Sequence, residues 1–134
     1  MNDQDKQKES GFKNEVASTP GGAYVLNCYL CGTCTAGCPI NEIDDDFNPR
    51  KIMRMILLDQ KEETLNSKEI WKCTQCHTCV SHCPQDVRFA DIVRELRTMA
   101  SEQGFADKDL PEKVEEASAE SRKSFLSKIE ELVG

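Results

Sequence analysis

The sequence predicts an all-α fold. Apolar residues recur every three or four positions in several stretches, and no stretch alternates apolar and polar residues as a half-buried strand would. Eight cysteines fall into two short runs between the helical stretches.

Composition narrows the class further. The chain has 134 residues, of which 38% are hydrophobic, 6% aromatic and 31% charged. That allows one compact domain with a thin apolar core, so something besides burial must help to hold it. A net charge of −7 argues against nucleic acid as a partner. Residues 1 to 10 are polar, with no apolar stretch or small-residue cleavage site of a secretory signal. The longest apolar run, Met55 to Leu58, is too short to span a bilayer. The expected location is therefore cytoplasmic, where a cysteine-rich chain binds metal rather than forming structural disulfides.

Taken in order, residues 1–22 are polar, end in Pro20-Gly21-Gly22, and read as a flexible N-terminal tail. Residues 23–104 read as the cysteine-bearing domain. Within it Asn48 suits a helix N-cap and Pro49 the first helical position, and Ile52, Met55 and Ile56 follow at helical spacing, with Arg50 and Arg54 on another face. A second short helix is expected from Asn66, with Glu69 as its capping-box partner, through Ile70 and Trp71. Phe89, Ile92, Val93, Leu96, Met99 and Ala100 mark the clearest helix, with Gly104 placed to stop it. Residues 105–134 read as a C-terminal extension of one or two amphipathic helices, carrying Val114, Ala117, Phe125, Ile129, Leu132 and Val133.

The chemistry lies in the cysteines. Cys28, Cys31, Cys34 and Cys38 precede Pro39, and Cys73, Cys76, Cys79 and Cys83 precede Pro84; corresponding cysteines lie 45 positions apart, an internal duplication. Three cysteines spaced by two residues deliver three thiolates from one short loop to three corners of a cubane, and the fourth comes from farther away. In two-cluster ferredoxin runs of this spacing the fourth cysteine ligates the other cluster. That assigns Cys28, Cys31, Cys34 and Cys83 to one [4Fe–4S] cluster, and Cys73, Cys76, Cys79 and Cys38 to a second. Structural zinc, which takes separated pairs in tetrahedral sets of four, fits the pattern poorly.

His77 and His82 flank the second run. With four thiolates supplied to each cluster they read as packed or solvated side chains, tuning of the nearby cluster being the alternative. Tyr29, Trp71 and Phe89 read as packing that keeps water from the clusters. Arg50, Lys51, Arg54, Arg88, Arg94 and Arg97 read by default as solvated helix faces, with an offset of cluster charge or the docking of a partner as alternatives.

The segment from Cys28 to Ala100 resembles the C subunit of heterodisulfide reductase. The residues that carry the resemblance are Cys-Tyr-Leu-Cys-Gly-Thr-Cys-Thr-Ala-Gly-Cys-Pro from position 28, Asn48-Pro49-Arg50, Ile70-Trp71-Lys72-Cys73 and the stretch from Val87 to Ala100. The core is also similar to the α-helical ferredoxin domains of succinate dehydrogenase and of glycolate or glycerol-3-phosphate oxidising complexes. The resemblance implies an α-helical ferredoxin domain that passes electrons between two partner subunits. One is flavin-containing, and the other is a catalytic, disulfide-reducing iron–sulfur protein. Neither a Cys-Cys dipeptide nor a Gly-x-Gly-x-x-Gly fingerprint occurs here, so the chain is expected to conduct rather than to catalyse. A stand-alone dicluster ferredoxin, or the iron–sulfur subunit of another flavin-linked oxidoreductase, is the competing reading.

Overall fold

The chain folds around a helix of 14 residues, Phe89–Glu102, on which several of the other elements pack. The computed structural model describes residues 11–134, and among these there are helices and turns but no strand. In order they are α1 (Gly11–Ala17), a 3₁₀ turn (Val25–Asn27), α2 (Thr33–Ala36), α3 (Pro39–Ile43), α4 (Pro49–Leu57), α5 (Lys61–Leu65), a second 3₁₀ turn (Glu69–Trp71), α6 (Thr78–His82), α7 (Phe89–Glu102) and α8 (Leu110–Val133). None of these helices is long and apolar enough to cross a membrane.

α7 is the central element because its apolar residues recur on a helical period and its inward side is filled completely. Ile92, Val93, Leu96 and Ala100 are fully buried. α1, α5, α6, α8 and the second 3₁₀ turn all pack against it. α4 contributes Ile52, Met53 and Ile56 to the same core. Its start is the one expected from Asn48-Pro49: Asn48 Oδ1 accepts from the Lys51 amide at 3.2 Å and from Thr35 Oγ1 at 2.9 Å, which ties the helix to the first cysteine run.

Three expectations change. Residues 1–10 of the anticipated tail lie outside the described residues, but residues 11–22 do not behave as a tail. Phe12 and Val16 of α1 are buried in the core. Polar ties add to this: Asp59 accepts from the Lys13 amide at 2.9 Å, Glu15 Oε2 pairs with Lys61 Nζ at 3.0 Å, and Glu95 accepts from the Gly21 amide at 3.2 Å. The pairs are about one-third exposed and worth little each, so burial of Phe12 and Val16 is the stronger anchor. Asn66 ends α5 rather than starting a helix, its amide donating to Glu62 O at 2.9 Å. The following turn is opened by Ser67 Oγ, which accepts from the Glu69 amide, while Glu69 reaches forward to Lys72 at 3.0 Å.

The third change is at the C-terminus. The helix of α7 ends as expected near Gly104, which takes φ +83°, but the chain then folds back so that Phe105 and Ala106 rest against the core. From Leu110 one continuous helix of 24 residues follows. Only its first turns touch the domain; residues 121–134 are exposed throughout, including Phe125, Leu126, Ile129, Leu132 and Val133.

If α1 is part of the core, Phe12→Ala should lower the unfolding free energy of the anaerobic holo-protein by about 3 kcal/mol. Denaturant titration showing a loss below about 0.5 kcal/mol would return residues 11–22 to the status of a tail.

Candidate iron–sulfur centres

The sequence repeat becomes a repeat of backbone conformation. Between the first two cysteines of each run a residue with a side chain takes a left-handed conformation, Leu30 at φ 60° and Gln75 at φ 60°, and the residue before each third-cysteine helix does so again, Gly32 at φ 82° and His77 at φ 63°. These inversions curl each loop so that its amides turn inward. The Leu30 amide donates to Cys28 Sγ at 3.4 Å and the Gln75 amide to Cys73 Sγ at 3.4 Å. Cys31 Sγ shares a hydrogen bond with Thr33 Oγ1 at 3.2 Å, and the Cys76 thiol donates to Thr78 Oγ1 at 3.4 Å. Once either sulfur is a thiolate, the hydroxyl is the donor.

The short helices α2 and α6, which lead to the fourth cysteines, pack against each other. Gly37 allows it: a β-carbon there would meet His82 Nδ1 at 3.3 Å and Thr78 Cγ2 at 3.6 Å. Two cavities result. The first is lined by Cys28, Cys31, Cys34 and Cys83, with Cys79 at its inner wall. The second is lined by Cys38, Cys73, Cys76 and Cys79. Phe89 lines both, so Cys79 and Phe89 form the partition between them. Met53 and Val87 complete the apolar wall of the first, and Ile40 and Phe47 that of the second.

This donor set fits iron–sulfur clusters. The cysteines stand around the walls of the two cavities, as separate corners of a polynuclear cluster require. Burial pushes the Cys28, Cys34 and Cys73 thiols up, and Cys79 up to about 12. Such thiols become thiolates at neutral pH only when a cation replaces the proton. The outer cysteines differ. The Thr33 hydroxyl holds Cys31 below the usual thiol range; at Cys76 burial works upward, but hydrogen bonds from Thr78 outweigh it and the net shift is downward.

The secondary candidates separate. His77 and His82 are exposed, His77 at the rim of the second cavity and His82 over Gly37. Phe89 is buried packing as expected, Trp71 is half-buried, and Tyr29 is 59% exposed beside Cys31 rather than a shield. Arg50 donates from Nε to the Leu30 carbonyl at 2.6 Å, and Arg97 from Nε and Nη2 to the Ile70 and Cys73 carbonyls, each at 2.7 Å. Both therefore brace a cysteine loop, Arg50 from an exposed position and Arg97 from a half-buried one. Sequence reasoning also passed over the left-handed positions, although the 45-residue offset that aligns Gly32 with His77 carried the signal.

Comparison with known proteins agrees with this chemistry. Residues 24–87 match the 4Fe-4S dicluster domain. The chain is 38% identical over 106 residues to the C2 subunit of the H(2)/formate:CoB-CoM heterodisulfide,ferredoxin reductase of Methanococcus maripaludis, covering 74% of this chain and 56% of that one. It is 42% identical over 77 residues to the second C-type iron-sulfur subunit of the CoB--CoM heterodisulfide reductase of Methanocaldococcus jannaschii, covering 58% and 40%. Over 84 residues it is 37% identical to the C subunit of the ferredoxin:CoB-CoM heterodisulfide reductase of Methanosarcina mazei, covering 63% and 51%. The chain thus spans about half the length of these relatives.

The left-handed positions give a paired test. Gly32→Ala, strained at φ 82° and pressed against Arg50 Cδ at 3.3 Å, should destabilise the holo-protein by about 1 kcal/mol or more. His77→Gly, which relieves the same strain, should stabilise it by about 1 kcal/mol. The readout is the temperature at which cluster absorbance is lost, and shifts of the same sign in both variants would contradict the assignment.

Proposed function

We propose that this chain, whose residues 24–87 match the 4Fe-4S dicluster domain, is the electron-relay component of a heterodisulfide-reductase-like complex, placed between two other subunits, one flavin-containing and one catalytic and disulfide-reducing. The chain carries two [4Fe–4S] clusters and serves electron transfer. When bound, such clusters accept and release single electrons without moving heavy atoms. Cys28, Cys31, Cys34 and Cys83 hold one, and Cys73, Cys76, Cys79 and Cys38 the other. What supports this crossed ligation is that Cys83 lines the cavity of Cys28, Cys31 and Cys34, and Cys38 lines that of Cys73, Cys76 and Cys79, with Cys79 on the wall between the two.

The protein's own part is positioning and exclusion. Amides of Leu30 and Gln75 and hydroxyls of Thr33 and Thr78 stabilise thiolate charge. Phe89, Phe47, Met53 and Val87 are buried and keep water from the inner faces. Cys31 and Cys76, the corresponding outer ligands of the two loops, are exposed, so each centre offers one edge to a redox partner. Membership of a complex, rather than the role of a freely diffusing carrier, is favoured by α8. Its last turns bury nothing of the domain yet carry Phe125, Leu126, Ile129, Leu132 and Val133 on a short apolar stripe, which the partner subunits would cover.

Anaerobically purified protein should contain about eight iron and eight acid-labile sulfide per chain with negligible zinc. Two zinc atoms and no sulfide would overturn the cluster reading. Truncation after Gly104 should leave the cluster spectrum intact and reduce co-purification with partner subunits. A full-length chain that elutes alone near 15.1 kDa from its native source would favour the diffusing carrier.

A further inference from the structure

The duplicated halves differ most at the first cysteine of each run. Cys28 Sγ receives the Leu30 amide, and Leu30 has no side-chain donor to add. At the corresponding corner Cys73 Sγ receives the Gln75 amide at 3.4 Å and also the Gln75 side-chain Nε2 at 3.5 Å. Arg97 then closes over the same residue. Its Nη2 donates to the Cys73 carbonyl and its Nε to the Ile70 carbonyl, both at 2.7 Å, and its guanidinium carbon lies 5.7 Å from the centroid of the Trp71 ring.

The first half has only a weaker counterpart. Arg50 also donates to its loop, through Nε to the Leu30 carbonyl, but it is exposed whereas Arg97 is half-buried. The residue 45 positions before Trp71 is Leu26, itself exposed, so the position that carries the ring in the second half carries none in the first. A positive charge fixed in a partly dry site acts more strongly than one screened by water and salt. Glu115 of α8 is the carboxylate that bears on Arg97, and as an exposed group it offsets only part of that charge.

We infer that Arg97 and Gln75 make the site of Cys38, Cys73, Cys76 and Cys79 the higher-potential of the two, the place where a single electron rests. Reduction adds one negative charge to the centre and moves no proton, so a fixed cation and an added N–H donor to Cys73 both favour the reduced form. Arg97 stays charged throughout and acts by its field and by holding the loop; it is a positioning residue. The inference rests on the two-cluster reading, and its test separates the two.

The experiment is an anaerobic redox titration of the full chain followed by electron paramagnetic resonance, after iron and sulfide have been counted. The signal altered by Cys76→Ser identifies the second site. In the native chain that signal should reduce first. In Arg97→Gln its reduced-to-oxidised ratio at the native midpoint should fall on the order of tenfold, which for a one-electron couple is a downward shift of about 59 mV. Arg97→Lys, which keeps the charge but not the two-pronged grip, should shift less. Gln75→Leu should lower the same midpoint, and it is the variant that decides if Arg97→Gln fails to fold, because Leu30 already occupies this conformation at φ 60°. Leu30→Gln should raise the midpoint of the first site. If the second site reduces last, or does not move in either Arg97→Gln or Gln75→Leu while eight irons are present, the inference is overturned. A native chain without iron would overturn it together with the cluster reading.

Discussion

The contact between α2 and α6 is the constraint on which the site depends. Each of these short helices runs from the third cysteine of a run toward the fourth. Packed side by side across Gly37, they deliver each fourth cysteine to the cavity of the opposite loop. The same crossing makes the halves interdependent. Each cavity is lined by cysteines of both runs, so under the crossed ligation proposed above neither centre would be completed by a half-chain alone. The prolines that follow, Pro39 at the head of α3 and Pro84 at the rim of the first cavity, send the chain onward without an amide to satisfy.

Around that crossing the scaffold is economical. α7 and α4 supply most of the apolar core, and Phe89, at the start of α7, serves both as core and as partition between the cavities. Phe47 stands against it with ring centroids 6.5 Å apart. The folding core and the cofactor walls therefore share residues, which means that occupancy of the cavities and stability of the fold are coupled. α1 enlarges this small core from outside the cysteine segment. α8 packs on α7 by its first turns only and then leaves the core.

Much of this was legible in the sequence for simple reasons. The cysteine spacing reports loop curvature directly, and the period of α7 reports a helix buried on one side. The cap at Asn48 was legible because N-cap chemistry is local. What escaped was non-local or compensated. Phe12 and Val16 sit in a polar segment whose two apolar residues gain meaning only when α4 and α7 lie beside them. Asn66 and Glu69 satisfy a capping-box spacing, yet Ser67 and Lys72 compete for their roles and win. Arg97 reads as one of several helix-face arginines until the fold brings the Ile70 and Cys73 carbonyls to it.

The central claim is that the two runs exchange their fourth cysteines, and the spectrum of one variant bears on it most directly. In Cys83→Ser, compared with Cys31→Ser and Cys76→Ser by low-temperature electron paramagnetic resonance of the reduced holo-protein, the account predicts that the damaged signal is the one Cys31→Ser damages. Damage confined to the signal that Cys76→Ser alters would mean that each run binds its own cluster, and the crossed arrangement would be wrong.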